Sequence, residues 1–141
     1  MRTFVTLALP AVVLGGCVAS TAAVPGSGAC VSPLEPRVVT TLFFGRNGPD
    51  TTEVVSDSEW QRFVDEVVTP RFPEGLTVLD GAGQWRSAAG AIGRERSKVL
   101  VRVHDGTPSA DRDIRAIVED YKRRFRQESV LRVDDPACVG F

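Results

Sequence analysis

Val38 to Phe44 reads VVTTLFF, and this stretch decides the fold. A run of β-branched and aromatic residues, closed by Gly45 and the turn cluster Asn47-Gly48-Pro49-Asp50, predicts a strand that is central in its sheet. Helix signals follow it. Ser56 and Glu59 make a capping box, with Val55 and Trp60 at the two staple positions. Behind them Trp60, Phe63, Val64, Val67 and Val68 fall on one apolar stripe of an amphipathic helix, which Pro70 stops near Thr69.

Further along, Gly75 to Asp80 (GLTVLD) predicts a short strand, and Lys98 to His104 (KVLVRVH) alternates as another. The connection between them carries Gly81-Ala82-Gly83 and Gln84-Trp85-Arg86, and reads equally as an extended hairpin arm or as a loop. Thr107-Pro108 supplies an N-cap and a first-turn proline. Ile114, Ile117, Val118, Tyr121 and Phe125 form a second helical stripe. Ser129 to Val133 (SVLRV) closes the set as a last strand. The order β-α-β-β-α-β is that of an α+β, ferredoxin-like fold, a four-stranded antiparallel sheet with two helices on one face. Its usual strand order sets the last strand antiparallel beside the first. Cys30, ahead of the first strand, and Cys138, after the last, then meet at one edge of the sheet.

The N-terminal end reads as an address. Met1 and Arg2 precede an apolar run from Phe4 to Leu14, and Leu14-Gly15-Gly16-Cys17 follows. The run is shorter than the roughly 20 apolar residues a membrane-spanning helix needs. Leu-Gly-Gly-Cys resembles the lipobox of bacterial lipoproteins. On that reading residues 1–16 are a signal peptide, Cys17 takes a lipid, and the protein is anchored to a membrane of the cell envelope, facing periplasm or exterior. The alternative is ordinary secretory cleavage after Ala19 or Ala23. Residues 17–36 are rich in Ala, Ser, Gly and Pro and read as a flexible tether, leaving 37–141 as a single domain.

With Cys17 assigned to lipid, Cys30 and Cys138 remain as an even pair in an oxidising compartment, where a disulfide is the default. The chain carries 17 Lys and Arg against 18 Asp and Glu, a net charge of −1, and loss of residues 1–16 removes one further positive charge, that of Arg2. Nucleic-acid binding gets no support from such a balance. Arg123, Arg124 and Arg126 read as the solvated side of a helix. No Walker loop, dinucleotide fingerprint or zinc spacing is present, so no cofactor and no metal are expected.

The middle of the chain, Thr69 to Trp85 (TPRFPEGLTVLDGAGQW), resembles the bacterial family catalogued as domain of unknown function 3574. The LFFG of Leu42 to Gly45, the Glu59-Trp60 helix start, the SKVLV of Ser97 to Val101 and the ESVLRV of Glu128 to Val133 carry the same resemblance. It spans Val38 to Val133. The family pattern commonly places an arginine where this chain has Ala82, which thins any basic cluster there. The resemblance implies a secreted or lipid-anchored bacterial protein and assigns no activity.

The candidate ligand site is Arg71, Asp80, Gln84, Trp85 and Arg86, with Glu66 at the helix end. Polar groups concentrated on connecting segments are where sites are usually built. Arg71 and Arg86 would hold an anion, Trp85 would stack on an aromatic portion, Gln84 would select, and Asp80 would orient an arginine. The structural alternative pairs Arg71 with Asp80 or Glu66, sets Trp85 over the end of the core and bonds Gln84 to loop backbone. His104, the only histidine, is a candidate general base or a hydrogen-bonded bystander. No catalytic constellation emerges. The leading expectation is therefore a non-catalytic module binding a partner or a small anionic or aromatic ligand. The second is an enzyme of the ferredoxin-like type, in which facing sheets of a homodimer enclose a pocket. A third is an envelope protein with no site.

Overall fold

A computed structural model describes residues 29–48, 52–86 and 90–141. The expected signal peptide and Cys17 lie outside the described residues. The elements run β1 (Glu35–Gly45), α1 (Asp57–Phe63), β2 (Thr77–Arg86), β3 (Ile92–His104), α2 (Pro108–Phe125) and β4 (Leu131–Val139). They form one antiparallel sheet in the order β2-β3-β1-β4, with both helices on one face, as expected. The fold is α+β and ferredoxin-like.

Local chemistry explains the elements. Ser56 caps α1, accepting from the Glu59 amide while the Glu59 carboxylate accepts from the Ser56 amide at 2.8 Å. Val55 and Trp60, the staple pair, are both buried. The chain then widens into a π-turn over Val64–Val68, where the Thr69 amide reaches the Val64 carbonyl at 2.8 Å. The sequence stripe gave a uniform helix there; the wider turn keeps Val64 and Val68 both in the core. Thr107 caps α2, which ends at Arg126 in the left-handed conformation, φ 54°.

Between sheet and helices, Phe44 packs against Tyr121 with ring centroids 4.6 Å apart and against Trp60 at 5.1 Å, with Phe63, Ile114, Ile117, Leu42 and Leu100 completing the core. Arg46 is also buried, its side chain 1 % exposed, and is held by the Val55 carbonyl at 2.6 Å, Glu53 at 2.8 Å and Asp57 at 3.0 Å. That fork fastens the segment between β1 and α1.

Cys30 and Cys138 form a disulfide, with Cα atoms 5.5 Å apart, and Pro36 stands opposite Cys138 in the β1–β4 ladder. The expected tether therefore ends sooner than residue 36, because Cys30 is covalently held and Glu35 already pairs with Val139. All four strands are longer than the sequence reading had them, and β4 runs on from Leu131 to Val139, so that Cys138 lies within it. β2 continues through Gly81 to Arg86, and β3 starts at Ile92, in register from Thr77 opposite Val101 to Arg86 opposite Ile92. The connection that read as arm or loop is the arm.

The alternation of β3 has an unusual sense. Leu100 joins the core, but Lys98, Arg102 and His104 share its helix-facing side, so Val99, Val101 and Val103 face away from the helices. Phe43, Leu79, Leu131 and Val133 lie on the same outward face and are exposed. No described element covers them.

Candidate functional site

Four glycines shape the end of that open face. Along β2, Gly81, Gly83 and Trp85 point outward by alternation, opposite Ser97, Glu95 and Gly93 of β3, and Ser97 in turn faces Gly45 of β1. The Glu95 carboxylate lies flat over Gly45, where an added Cβ would meet both its oxygens at 2.7 Å. Ser97 Oγ leans to Gly81, 2.8 Å from the corresponding point, and the Trp85 indole covers Gly93 with Nε1 at 3.3 Å. Over Gly83 nothing stands within 4 Å. Three side chains thus fold down onto glycines around one empty position.

The result is a cleft of about 260 Å³ bordered by Phe43, Gly83, Trp85, Glu95, Ser97 and Leu131. Its far wall is the segment from Arg126 to Ser129, which Gln127 pins by donating to the Asn47 carbonyl at 2.9 Å. Glu95 is oriented in turn, accepting from the Asn47 amide at 3.1 Å. Chemically the cleft offers an indole face, two apolar side chains, Ser97 and Ser129, the acidic Glu95 and Glu128 and, on its far wall, the basic Arg126. Such a site accepts a flat group and hydrogen-bond donors.

The five residues expected to form a site occupy different places. Trp85 lines the cleft and is 43 % exposed, so it does not cap the core. Gln84 borders the cleft, but its pairing with Arg94 puts it on the opposite side of β2 from Trp85, together with Asp80 and Arg86. Asp80 binds Lys98, which also reaches Asp57 at 2.9 Å, and these two carboxylates hold the Lys98 ammonium above its ordinary pKa against the opposing effect of burial. Arg86 sits exposed near the end of β2. Arg71 is at the other end of the sheet, donating to the Val67 carbonyl at 2.7 Å and pairing with Asp120 at 3.4 Å. It borders a second, open cavity of about 690 Å³ that it shares with Phe72, Arg102 and His104. Glu66 pairs with Arg124 at 2.7 Å, not with Arg71. For Asp80, Gln84 and Arg86 the separation from Trp85 has one cause: a strand where a loop was an alternative reading sends successive residues to opposite faces.

His104 has both ring nitrogens engaged. Nδ1 accepts from the Gly106 amide at 3.1 Å, which leaves Nε2 as the donor to Thr40 Oγ1 at 2.9 Å, and the Thr40 hydroxyl donates to Asp134. Burial pushes its pKa down, and the nearby Asp134 carboxylate opposes that shift. In this arrangement no lone pair is left for a substrate proton.

Sequence reasoning missed Glu95 and Ser97. The signal was there in Gly81-Ala82-Gly83-Gln84-Trp85, where period-two spacing on a strand puts two glycines and an indole on one face. Among the described residues no group of His, Cys, Asp and Glu is arranged to hold a metal ion, and no helix is long and apolar enough to cross a membrane.

In overall structure the chain is similar to a phage SAM lyase in complex with S-methyl-5′-thioadenosine, with a TM-score of 0.55 and 15% identity over 73% of this chain and 88% of that one. The same lyase in its apo state gives a TM-score of 0.54 at 16% identity, over 74% and 89% of the two chains. At these identities the likeness is one of fold. Comparison with curated proteins finds no relative by sequence. A family model described as "Protein of unknown function (DUF3574)" matches residues 39–141, which includes both helices and the whole sheet apart from the first residues of β1, so the chain belongs to that family.

Proposed function

We propose that this protein is a non-catalytic binding module of the bacterial cell envelope, anchored through acylated Cys17, and that it holds a small ligand in the cleft above Gly83. The observation that carries the reading is the unfilled position between the Trp85 indole, the Glu95 carboxylate and the Ser97 hydroxyl. Three side chains laid on glycines leave a pre-formed concavity, and at about 260 Å³ it is small, just under the usual range of ligand pockets. With Glu95 and Glu128 set against the single Arg126 in its lining, the cleft favours a neutral or cationic ligand with a flat ring and donating groups over an anion. The anchor rests on Leu14-Gly15-Gly16-Cys17, and a disulfide between Cys30 and Cys138 suits an oxidising compartment.

A thermal-shift series tests the ligand. S-methyl-5′-thioadenosine and adenosine are compared with adenosine monophosphate, against wild type, Gly83→Val and Glu95→Gln. Gly83 has an ordinary strand backbone, so valine fills the space without strain. The two nucleosides should stabilise wild type more than the phosphate does, and the gain should vanish in Gly83→Val. No stabilisation by either nucleoside, or an equal gain in Gly83→Val, counts against the cleft. Intact mass of the membrane fraction tests the anchor, where a soluble product starting beyond Cys17 removes it.

The second reading is an enzyme, favoured by the fold shared with the SAM lyase. It predicts that SAM incubated with the protein is consumed, followed by mass spectrometry, and that Glu95→Gln abolishes the turnover.

A further inference from the structure

The sheet has an apolar face that no described element covers, and its pattern is that of a core. Leu79, Val99, Phe43 and Leu131 stand in one row across all four strands, one residue from each. The next row is Thr77, Val101, Thr41 and Val133. Neither row contains an ionisable group. Leu131 is 60 % exposed, Leu79 53 % and Val133 37 %. A sheet face meant for water alternates apolar-in with polar-out; β3 does the reverse, turning its valines out and Lys98, Arg102 and His104 toward the helices. The outer side of α2, by contrast, carries exposed Arg112, Arg115, Glu119 and Arg123, as a solvated surface does.

We infer that a second copy of this chain covers this face, packing sheet against sheet. Size supports the choice of occupant. Four strands about 4.8 Å apart and some 30 Å of strand length give roughly 600 Å² per copy, about 1,200 Å² for the pair, above the ~1,000 Å² that separates specific contacts from incidental ones. An apolar sheet face can pack against its own copy about a two-fold axis, and a two-fold pair is the commonest closed assembly. A lipid surface is the poorer occupant, because amphipathic surfaces that lie on membranes are rimmed by cations. The rim here is mixed: Glu95 and Glu128 stand with Arg126 at one end, and Asp135 with Arg37 toward the other.

The pairing also deepens the ligand reading, on which this one step rests. The cleft opens on the same face, so the second copy supplies the roof that it lacks, and the ligand is held between protomers.

The test is the mass of the full chain, solubilised in a density-matched non-ionic detergent and measured by sedimentation without any ligand. Wild type should sediment at twice the mass of the mature chain that begins at Cys17. Leu79→Glu and Val133→Lys, both at exposed positions outside the cleft, should each sediment at the single mass with unchanged far-UV circular dichroism. A wild type at the single mass overturns the proposal, as does persistence of the double mass in both variants. It is equally overturned by a single-mass protein whose binding to phosphatidylglycerol–phosphatidylethanolamine vesicles is lost in the two variants. Because no ligand enters, a dimer without nucleoside binding would sink the ligand reading alone, and nucleoside binding by a monomer would sink the pairing alone.

Discussion

The phenol of Tyr121 donates a 2.8 Å hydrogen bond to the carbonyl oxygen of Gly45, tying α2 to the residue whose missing side chain makes room for Glu95. Tyr121 is fully buried, and burial pushes its ionisation well up from the ordinary phenol value. Removing only the hydroxyl isolates the tie from the packing. Tyr121→Phe should lower stability by about 0.5–1.5 kcal/mol in urea denaturation, the usual net worth of one such bond. An unchanged midpoint would mean that the bond contributes nothing net.

Arg46 gives a larger expected effect. Its side chain is buried, but Glu53 and Asp57, the two carboxylates it holds, are 37 % and 64 % exposed, so they can rehydrate when it is lost. Arg46→Met keeps the apolar stem and should cost about 1–3 kcal/mol, chiefly the charge-assisted bond to the Val55 carbonyl. Arg46→Lys should not restore the loss, because one ammonium cannot span three acceptors spread around a planar fork. Equilibrium denaturation of the two variants checks both statements.

The disulfide closes a loop over a sequence separation of 108 residues. By the chain-entropy account such a loop is worth up to about 4.7 kcal/mol. Cys30→Ala with Cys138→Ala should bring the denaturation midpoint of the oxidised protein down to that of the reduced wild type. Non-reducing peptide maps of the purified protein should recover the two peptides joined, and free thiols at both positions would contradict the pairing.

Acid should weaken the fold in two separate ranges. His104 has a folded pKa below its ordinary 6.5, so the unfolded chain takes up its proton first. Stability from this source is full above that value and falls as pH drops through it toward the folded pKa. Protonation would set an Nδ1–H against the Gly106 amide and disturb the turn into α2. Asp134, Asp105 and Asp111 are lowered from 3.8, Asp134 by its hydrogen bonds from Arg132 and Thr40 against the cost of burial, so their contribution goes only below that value. Melting temperature from pH 7 to about pH 5 should therefore fall in wild type and stay flat in His104→Asn. A parallel fall in both would assign the acid sensitivity elsewhere.

The sequence carried the fold because its signals were local. The capping box at Ser56, the stripe from Trp60 and the Thr107-Pro108 helix start are decided by neighbours a few positions apart, and each stands where it was expected. The site was legible only in part. Trp85 was found by residue type, whereas Glu95 and Ser97 matter through where they lie relative to Gly45 and Gly81 across strand boundaries. Arg71 was drawn into the cluster as a polar group on a connecting segment, and a strand from Thr77 to Arg86 carries the other members away from it along the sheet. Arg46 gave no signal at all, since nothing in a lone arginine after a glycine marks it as buried.

The covalent join of Cys30 to Cys138 also sets how the domain bears load. A pull arriving through the residues before Cys30 enters at the seam between β1 and β4 and is shared by both strands at once. Neither can be peeled off ahead of the other, as an unbridged terminal strand would be. From Pro36, at that seam, to Gly45, under the cleft, is nine steps along β1, about 30 Å of extended chain. For a domain held from its N-terminal side, tension thus enters at this seam, and the cleft lies at the far end of β1, away from the load.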